Sequence, residues 1–163
     1  MLTERFLRYL EIEKQYSKLT VSAYREDIRQ FLVYTGADET NFDPRAVIPT
    51  EVRSFIMQLS SQGTEASSVN RKISALKSMF GYFRRIGEID HDPTQHIPLM
   101  KTKKRLPTFA QESQMERLAK KLLTCGSDYE EERESLLILF LYATGIRLAE
   151  LRGIKFEDID MQR

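Results

Sequence analysis

Apolar residues recur along the first half of the chain at intervals of three and four, the spacing that lines one face of an α-helix. Phe6, Leu7 and Leu10 form a first stripe, with Thr3 placed to cap it. Val21, Tyr24, Ile28, Phe31 and Leu32 form a second, headed by Thr20 and running up to Gly36. Beyond Asp43, Pro44 and Pro49, Thr50 is placed to cap a third, which carries Val52, Phe55, Ile56 and Leu59 and closes near Gly63. Ser67 or Ser68 opens a fourth with Val69, Ile73, Leu76, Phe80 and Phe83, stopped by Gly87. No stretch sustains an alternation of period two. The pattern predicts an all-α bundle of four helices.

From Gly87 to Pro107 the helical pattern fails. Pro93, Pro98 and Pro107 interrupt it, and Lys101–Arg105 is basic, as in an interdomain linker. Helical spacing resumes over Gln111–Leu123, with Met115, Leu118 and Leu122 on one face. An acidic run over Asp128–Glu134 then leads into the apolar block Leu136–Ala143. Periodicity alone does not separate a buried helix from a buried strand in so short a block. Its leucine content, the acids before it and Thr144-Gly145 after it favour a buried helix. Ile146–Ile154 reads as another short helix, and Phe156, Ile159 and Met161 could begin a strand. The expected organisation is a helical domain at residues 1–100, a linker at 101–107 and the start of a second domain at 108–163.

Composition narrows the class. The lone Cys125 has no internal partner, so nothing suggests an oxidising compartment. The opening MLTERFLRYLEIEK mixes acids and bases, unlike a secretory signal, and Leu136–Ala143 is too short to span a bilayer. A cytoplasmic protein is expected. The 25 bases and 24 acids give a net charge of +1, which taken alone argues against a nucleic-acid binder. The average hides a split. Between Ser67 and Arg105 stand Arg71, Lys72, Lys77, Arg84, Arg85, Lys101, Lys103, Lys104 and Arg105, against Glu88, Asp90 and Asp92 alone. A polyanion responds to the field within about 8–10 Å, so the net charge is weak evidence in either direction.

One segment carries chemistry. In Ala143–Ile154, ATGIRLAELRGI, an apolar helix meets a Thr-Gly turn, then Arg147, then Glu150 one turn on. This resembles the box around the first catalytic arginine of the tyrosine recombinases, the phage integrase family. Lys18–Tyr34 resembles the second helix of that family's SAM-like core-binding domain, and Ser67–Phe83 its fourth. DPTQHIP with KKRLP resembles the linker into its mixed α/β catalytic domain. The likeness runs through the whole chain in order and is strongest to the bacterial Xer-type branch. It implies a metal-free, cofactor-free enzyme that cuts duplex DNA with a tyrosine, forming a 3′-phosphotyrosyl bond. It implies no small-molecule substrate and no membrane, and four protomers assembling on two DNA sites. Without a divalent ion, the phosphorane oxygens need fixed donors, and a planar guanidinium makes two parallel bonds to phosphate. The resemblance gives that role to Arg147; taken alone, Arg147 reads as a surface arginine at a helix start. Glu150 could orient Arg147 or neighbouring backbone. The family's lysine, His-x-x-Arg pair, further His or Trp and nucleophile all follow this arginine, so the chain ending at Arg163 is expected not to cleave DNA. Tyr129 and Tyr142 match no nucleophile motif and read as packing residues.

DNA contact is also expected. On a wheel of the fourth helix, Asn70, Arg71, Ser74, Lys77, Ser78 and Arg85 lie opposite the apolar stripe, with Lys72 at the boundary. Bases on such a face reach phosphates, and Asn70 or Ser74 suits base edges. Lys18, Thr20, Ser22 and Arg25 would meet phosphate near the start of the second helix. His91 and His96 lack a carboxylate or cysteine cluster, so no metal site is expected. Two other readings stay open: a catalytically inert DNA-binding adaptor with the same helical domain, and a helical protein-interaction module. Downstream sequence separates the first from the enzyme, and DNA binding at two salt concentrations separates both from the second.

Overall fold

The structure, a computed structural model, describes residues 1–102, 109–123 and 128–158. The chain divides into two compact units, Met1–Lys104 and Arg105–Arg163. Of the linker at 101–107, only Lys101 and Thr102 fall among the described residues, and Cys125 lies outside them.

The first unit is built from α1 (Leu2–Ile12), α2 (Lys18–Tyr34), α3 (Pro49–Ser61) and α4 (Ala66–Arg85). All four apolar stripes point inward, and α4 packs against the other three. Phe6, Phe31, Phe80 and Phe83 are wholly buried, with Leu10, Leu32, Val52, Ile73, Leu76 and Met79 around them. Phe31 stands edge-on to Phe55 and to Phe80, at 5.4 and 6.2 Å between ring centroids. Edge contacts of this kind add to the burial of apolar area, the dominant force here. Among the described residues there is no strand; the architecture is all-α.

Helix starts differ from the expected caps. Thr3 is buried inside α1 and its hydroxyl has no partner among the described residues, because the helix begins two residues earlier than a Thr3 cap would start it, behind Met1. Ser17 caps α2, its hydroxyl accepting from the amide of Thr20 in the first turn at 3.2 Å. Pro49 occupies the first turn of α3, where its missing N–H costs nothing, and Glu65 precedes α4. The ends follow the glycines. At Gly87 the backbone turns left-handed (φ 77°), letting the Glu88 amide reach back to the Phe83 carbonyl at 2.9 Å.

The second unit holds α5 (Glu112–Leu123), α6 (Tyr129–Thr144) and α7 (Leu148–Leu151), then a 3-10 turn over Phe156–Asp158. The apolar block is helical, as expected, but it is not buried. Leu136 is 60% exposed and Phe140 37%, and Leu137, Ile138 and Tyr142 are exposed as well. The reason is geometric: Leu136, Leu137 and Ile138 point in three directions, while α5 covers one side. Met115 and Leu118 of α5 are half-buried; the side chain of Leu122 lies outside the described set. Where a strand could begin, residues 156–158 form the 3-10 turn, and the remainder, with Ile159 and Met161, lies outside the described residues.

Candidate nucleic-acid interface

Side by side, α2 and α4 bring most of the expected DNA-contacting residues onto one pair of helices. Lys18 is exposed at the N-terminal end of α2. The Thr20 hydroxyl lies 2.9 Å from that of Ser17, two hydroxyls at the helix start. Arg25 is turned toward α1, where it pairs with Glu4; that hydrogen bond raises the pKa of the guanidinium.

On α4, Lys77 is half-buried and has no acidic partner among the described residues. Arg85 donates to the Tyr9 hydroxyl at 2.8 Å, and its guanidinium carbon sits 4.2 Å from the Tyr9 ring centroid. Its charge is oriented by an aromatic face and meets no carboxylate among the described residues. Arg71 reaches across to α2, donating to Asp27 Oδ2 at 2.5 Å and to the Ala23 carbonyl at 3.2 Å.

Three α4 residues are used internally. Lys72, expected at the boundary of the polar face, is buried. Its ammonium donates to Asp27 Oδ1 at 2.8 Å and Gln30 Oε1 at 2.7 Å. A buried carboxylate must be paired, and Asp27 draws Lys72 inward. Asn70 grips the backbone of Met100 from both sides, its amide donating to the carbonyl at 2.9 Å and accepting from the amide at 2.7 Å. The Ser74 hydroxyl donates to the Asn70 carbonyl at 2.9 Å. Asn70 thereby ties the segment after α4 to the bundle.

In the second unit, Gly145 ends α6 in the left-handed region (φ 66°), its amide bonded to the Leu141 carbonyl at 2.9 Å. Two residues later Arg147 stands at the head of α7 with its side chain 84% exposed. Glu150 reaches back to hold it twice, accepting from the Arg147 amide at 2.9 Å and from Nη1 at 3.0 Å. One carboxylate thus caps the helix start and steadies the guanidinium. Tyr129 and Tyr142, expected to pack, are exposed.

Residues 3–87 match the family described as phage integrase, N-terminal SAM-like domain. The chain belongs to this family. Its relatives place it in the Xer-type branch of the tyrosine recombinases, as an N-terminal part. It is 33% identical over 155 residues to the tyrosine recombinase XerC of Lacticaseibacillus casei (strain BL23), covering 95% of this chain and 51% of the relative. It is 32% identical over 158 residues to XerC of Roseiflexus sp. (strain RS-1), covering 97% and 50%. It is 31% identical over 157 residues to XerC of Bacillus subtilis (strain 168), covering 96% and 50%. The chain spans about half the length of the curated relatives it matches. No solved structure gave a significant match. Among the described residues no helix is long and apolar enough to cross a membrane.

Sequence reasoning missed Asp27, Gln30, Glu4 and Tyr9 as partners of this integrase-family face. A signal for the first was available. Asp27 sits three residues after Tyr24 and four before Phe31, inside the apolar arc of α2; Lys72 sits likewise between Val69 and Leu76. Opposite charges inside two facing apolar arcs call for each other.

Proposed function

We propose that this chain supplies the DNA-gripping front half of a cytoplasmic site-specific recombinase, one that cuts and rejoins duplex DNA through a 3′-phosphotyrosyl intermediate. The observation that carries the reading is the α2–α4 face of a recombinase-family domain. There Lys18, Arg71 and Lys77 present positive charge, Arg85 adds another on the α1 side of α4 against Tyr9, and Lys77 and Arg85 meet no acid among the described residues. Phosphate contacts from these cations hold the duplex, while the hydroxyl of Thr20 lies near the helix start. Lys72 and Asn70 support the face rather than touch DNA, and Arg25 serves the α1–α2 contact.

In the whole recombinase, two domains close around the duplex, here assigned to residues 1–100 and to a catalytic domain beginning at 108, with 101–107 between them. Arg147 binds the scissile phosphate, its guanidinium stabilising charge as the phosphorane forms. Four protomers assemble on two sites. The exposed apolar sides of α6 suit a helix packed on several sides, as the remainder of a longer catalytic domain would pack it. The nucleophile is not assigned to any residue of this chain, which is therefore inactive in cleavage by itself.

The deciding experiment is duplex binding by this chain over a range of salt. Neutralising about five phosphates predicts a log–log slope near −4 to −5. Absence of binding at low salt, or binding flat with salt, would sink the reading and favour a protein-interaction module.

A further inference from the structure

Asp27 is wholly buried, and its carboxylate is divided between two cations. Oδ1 accepts from Lys72, which Gln30 also holds, and Gln30 donates in turn to Glu26 at 2.8 Å. Oδ2 accepts from Arg71. Both bonds that Arg71 makes, to Asp27 and to the Ala23 carbonyl, leave from the same nitrogen, Nη1. Its Nε and Nη2 have no partner among the described residues, and the side chain is 43% exposed. Those two nitrogens form the edge of a guanidinium that makes parallel paired bonds to a phosphate or to a guanine.

We infer that Asp27 is a positioning residue for DNA recognition: it anchors Arg71 by one corner so that the Nε–Nη2 edge stands ready at the α2–α4 seam for a bidentate contact. The inference rests on the DNA-binding reading above. An untethered arginine must be ordered when DNA arrives, which weakens binding by about two- to tenfold for one long side chain. Asp27 carries out that ordering during folding, and Lys72 supplies the second charge that lets a carboxylate be buried there. The arrangement also separates the two neighbouring bases by role: Lys72 balances the acid, and Arg71 meets the ligand.

The test uses the 163-residue chain and a short fluorescent duplex of mixed sequence. Asp27→Asn combined with Lys72→Met removes one negative and one positive charge. The trio of Asp27, Lys72 and Arg71 therefore stays at a net +1, and no unpaired charge is left inside. Affinity should fall about two- to tenfold with the salt slope unchanged, and Arg71→Ala should cost less in this background than in the wild type. Wild-type affinity in the double variant, or an equal cost of Arg71→Ala in both backgrounds, overturns the inference. Arg71→Lys leaves the Asp27–Lys72 pair intact and so keeps the fold. It should bind more weakly than the wild type, because an ammonium keeps the charge but offers no second edge; wild-type binding by Arg71→Lys overturns the inference even if the double variant does not fold. A wild-type chain that fails to bind the duplex overturns the DNA reading itself, and that failure is visible before any variant is made.

Discussion

Phe80 on α4 and Phe140 on α6 sit in helices of similar apolar content, yet the first is wholly buried and the second is 37% exposed. In the first unit the apolar stripes face a common interior and are covered by the neighbouring helices, with Ile12, Leu19, Val33 and Met57 left exposed off those stripes. In the second unit α6 is apolar in several directions, and among its described residues only Ser135 is buried. The first unit also buries one ion pair, Asp27–Lys72, while its other pairs, like Lys121–Glu131 and Arg147–Glu150 in the second unit, reach the surface. A helix whose stripe matches its neighbours completes its packing locally; one that is apolar all round depends on further partners. The first unit buries its apolar stripes within itself, whereas α6 leaves Leu136, Leu137, Ile138 and Phe140 exposed.

The largest effects should come from the buried core. Phe80→Ala should cost about 3–5 kcal/mol of stability, since it empties a fully packed site. Phe140→Ala should move the same thermal melt far less. Equal shifts would break the contrast between the two units. Asp27→Ala should also cost about 3–5 kcal/mol, because it strands the Lys72 ammonium in the interior. Glu131→Ala, which breaks an exposed pair, should leave the melt where it was.

Arg147 tests the second unit in the opposite sense, through chemistry without stability. In the full-length recombinase, Arg147→Ala should slow single-turnover cleavage of a suicide substrate about 10²–10³-fold, while a gel shift shows binding nearly intact. Arg147→Lys should rescue poorly. Cleavage and binding lost in equal measure would remove Arg147 from the role of phosphate clamp. Smaller again is Lys77→Ala, which should lower the salt slope by about 0.9 without shifting the melt. A melt that falls with it would place Lys77 in the core contacts instead.

The smallest effect is electrostatic. The Arg29 guanidinium, with help from Gln30, holds the Glu26 carboxyl down to about 2 from its ordinary 4.5. A lowered carboxylate pKa adds stability that is present above pH 4.5 and is lost as the pH falls toward 2. Both side chains are about half exposed, so screening limits the gain to a few tenths of a kcal/mol. Glu26→Gln should flatten the acid limb of the stability curve by that small amount. A large flattening would show that the pair is shielded from solvent.

Several features were readable from residues alone because a single period produces them. The stripes on α1 to α4 are those that the three-and-four spacing marks, and Gly36, Gly63, Gly87 and Gly145 each take positive φ just past a helix. The box around Arg147 was legible as a motif, and Glu150 holds the arginine by both amide and side chain. The caps were less legible. Any Ser or Thr near a helix start is a candidate, and which one bonds depends on where the chain enters: Ser17 does so, while Thr3 is swallowed by the core.

Amino-acid order by itself determined the helices, their inward faces and the family, because helical period and motif spacing are local properties of a chain. Tertiary structure alone decided what the polar residues between the stripes do. Lys72, Arg71, Asn70 and Arg25 all read from the sequence as polar residues available to a ligand. Across α2 and α4 they separate into a buried counter-charge, a half-exposed tethered guanidinium, a backbone clamp on Met100 and a partner of Glu4. The reason is that a charge or amide takes the partner within reach, and reach is set by which helices the apolar faces have already brought together.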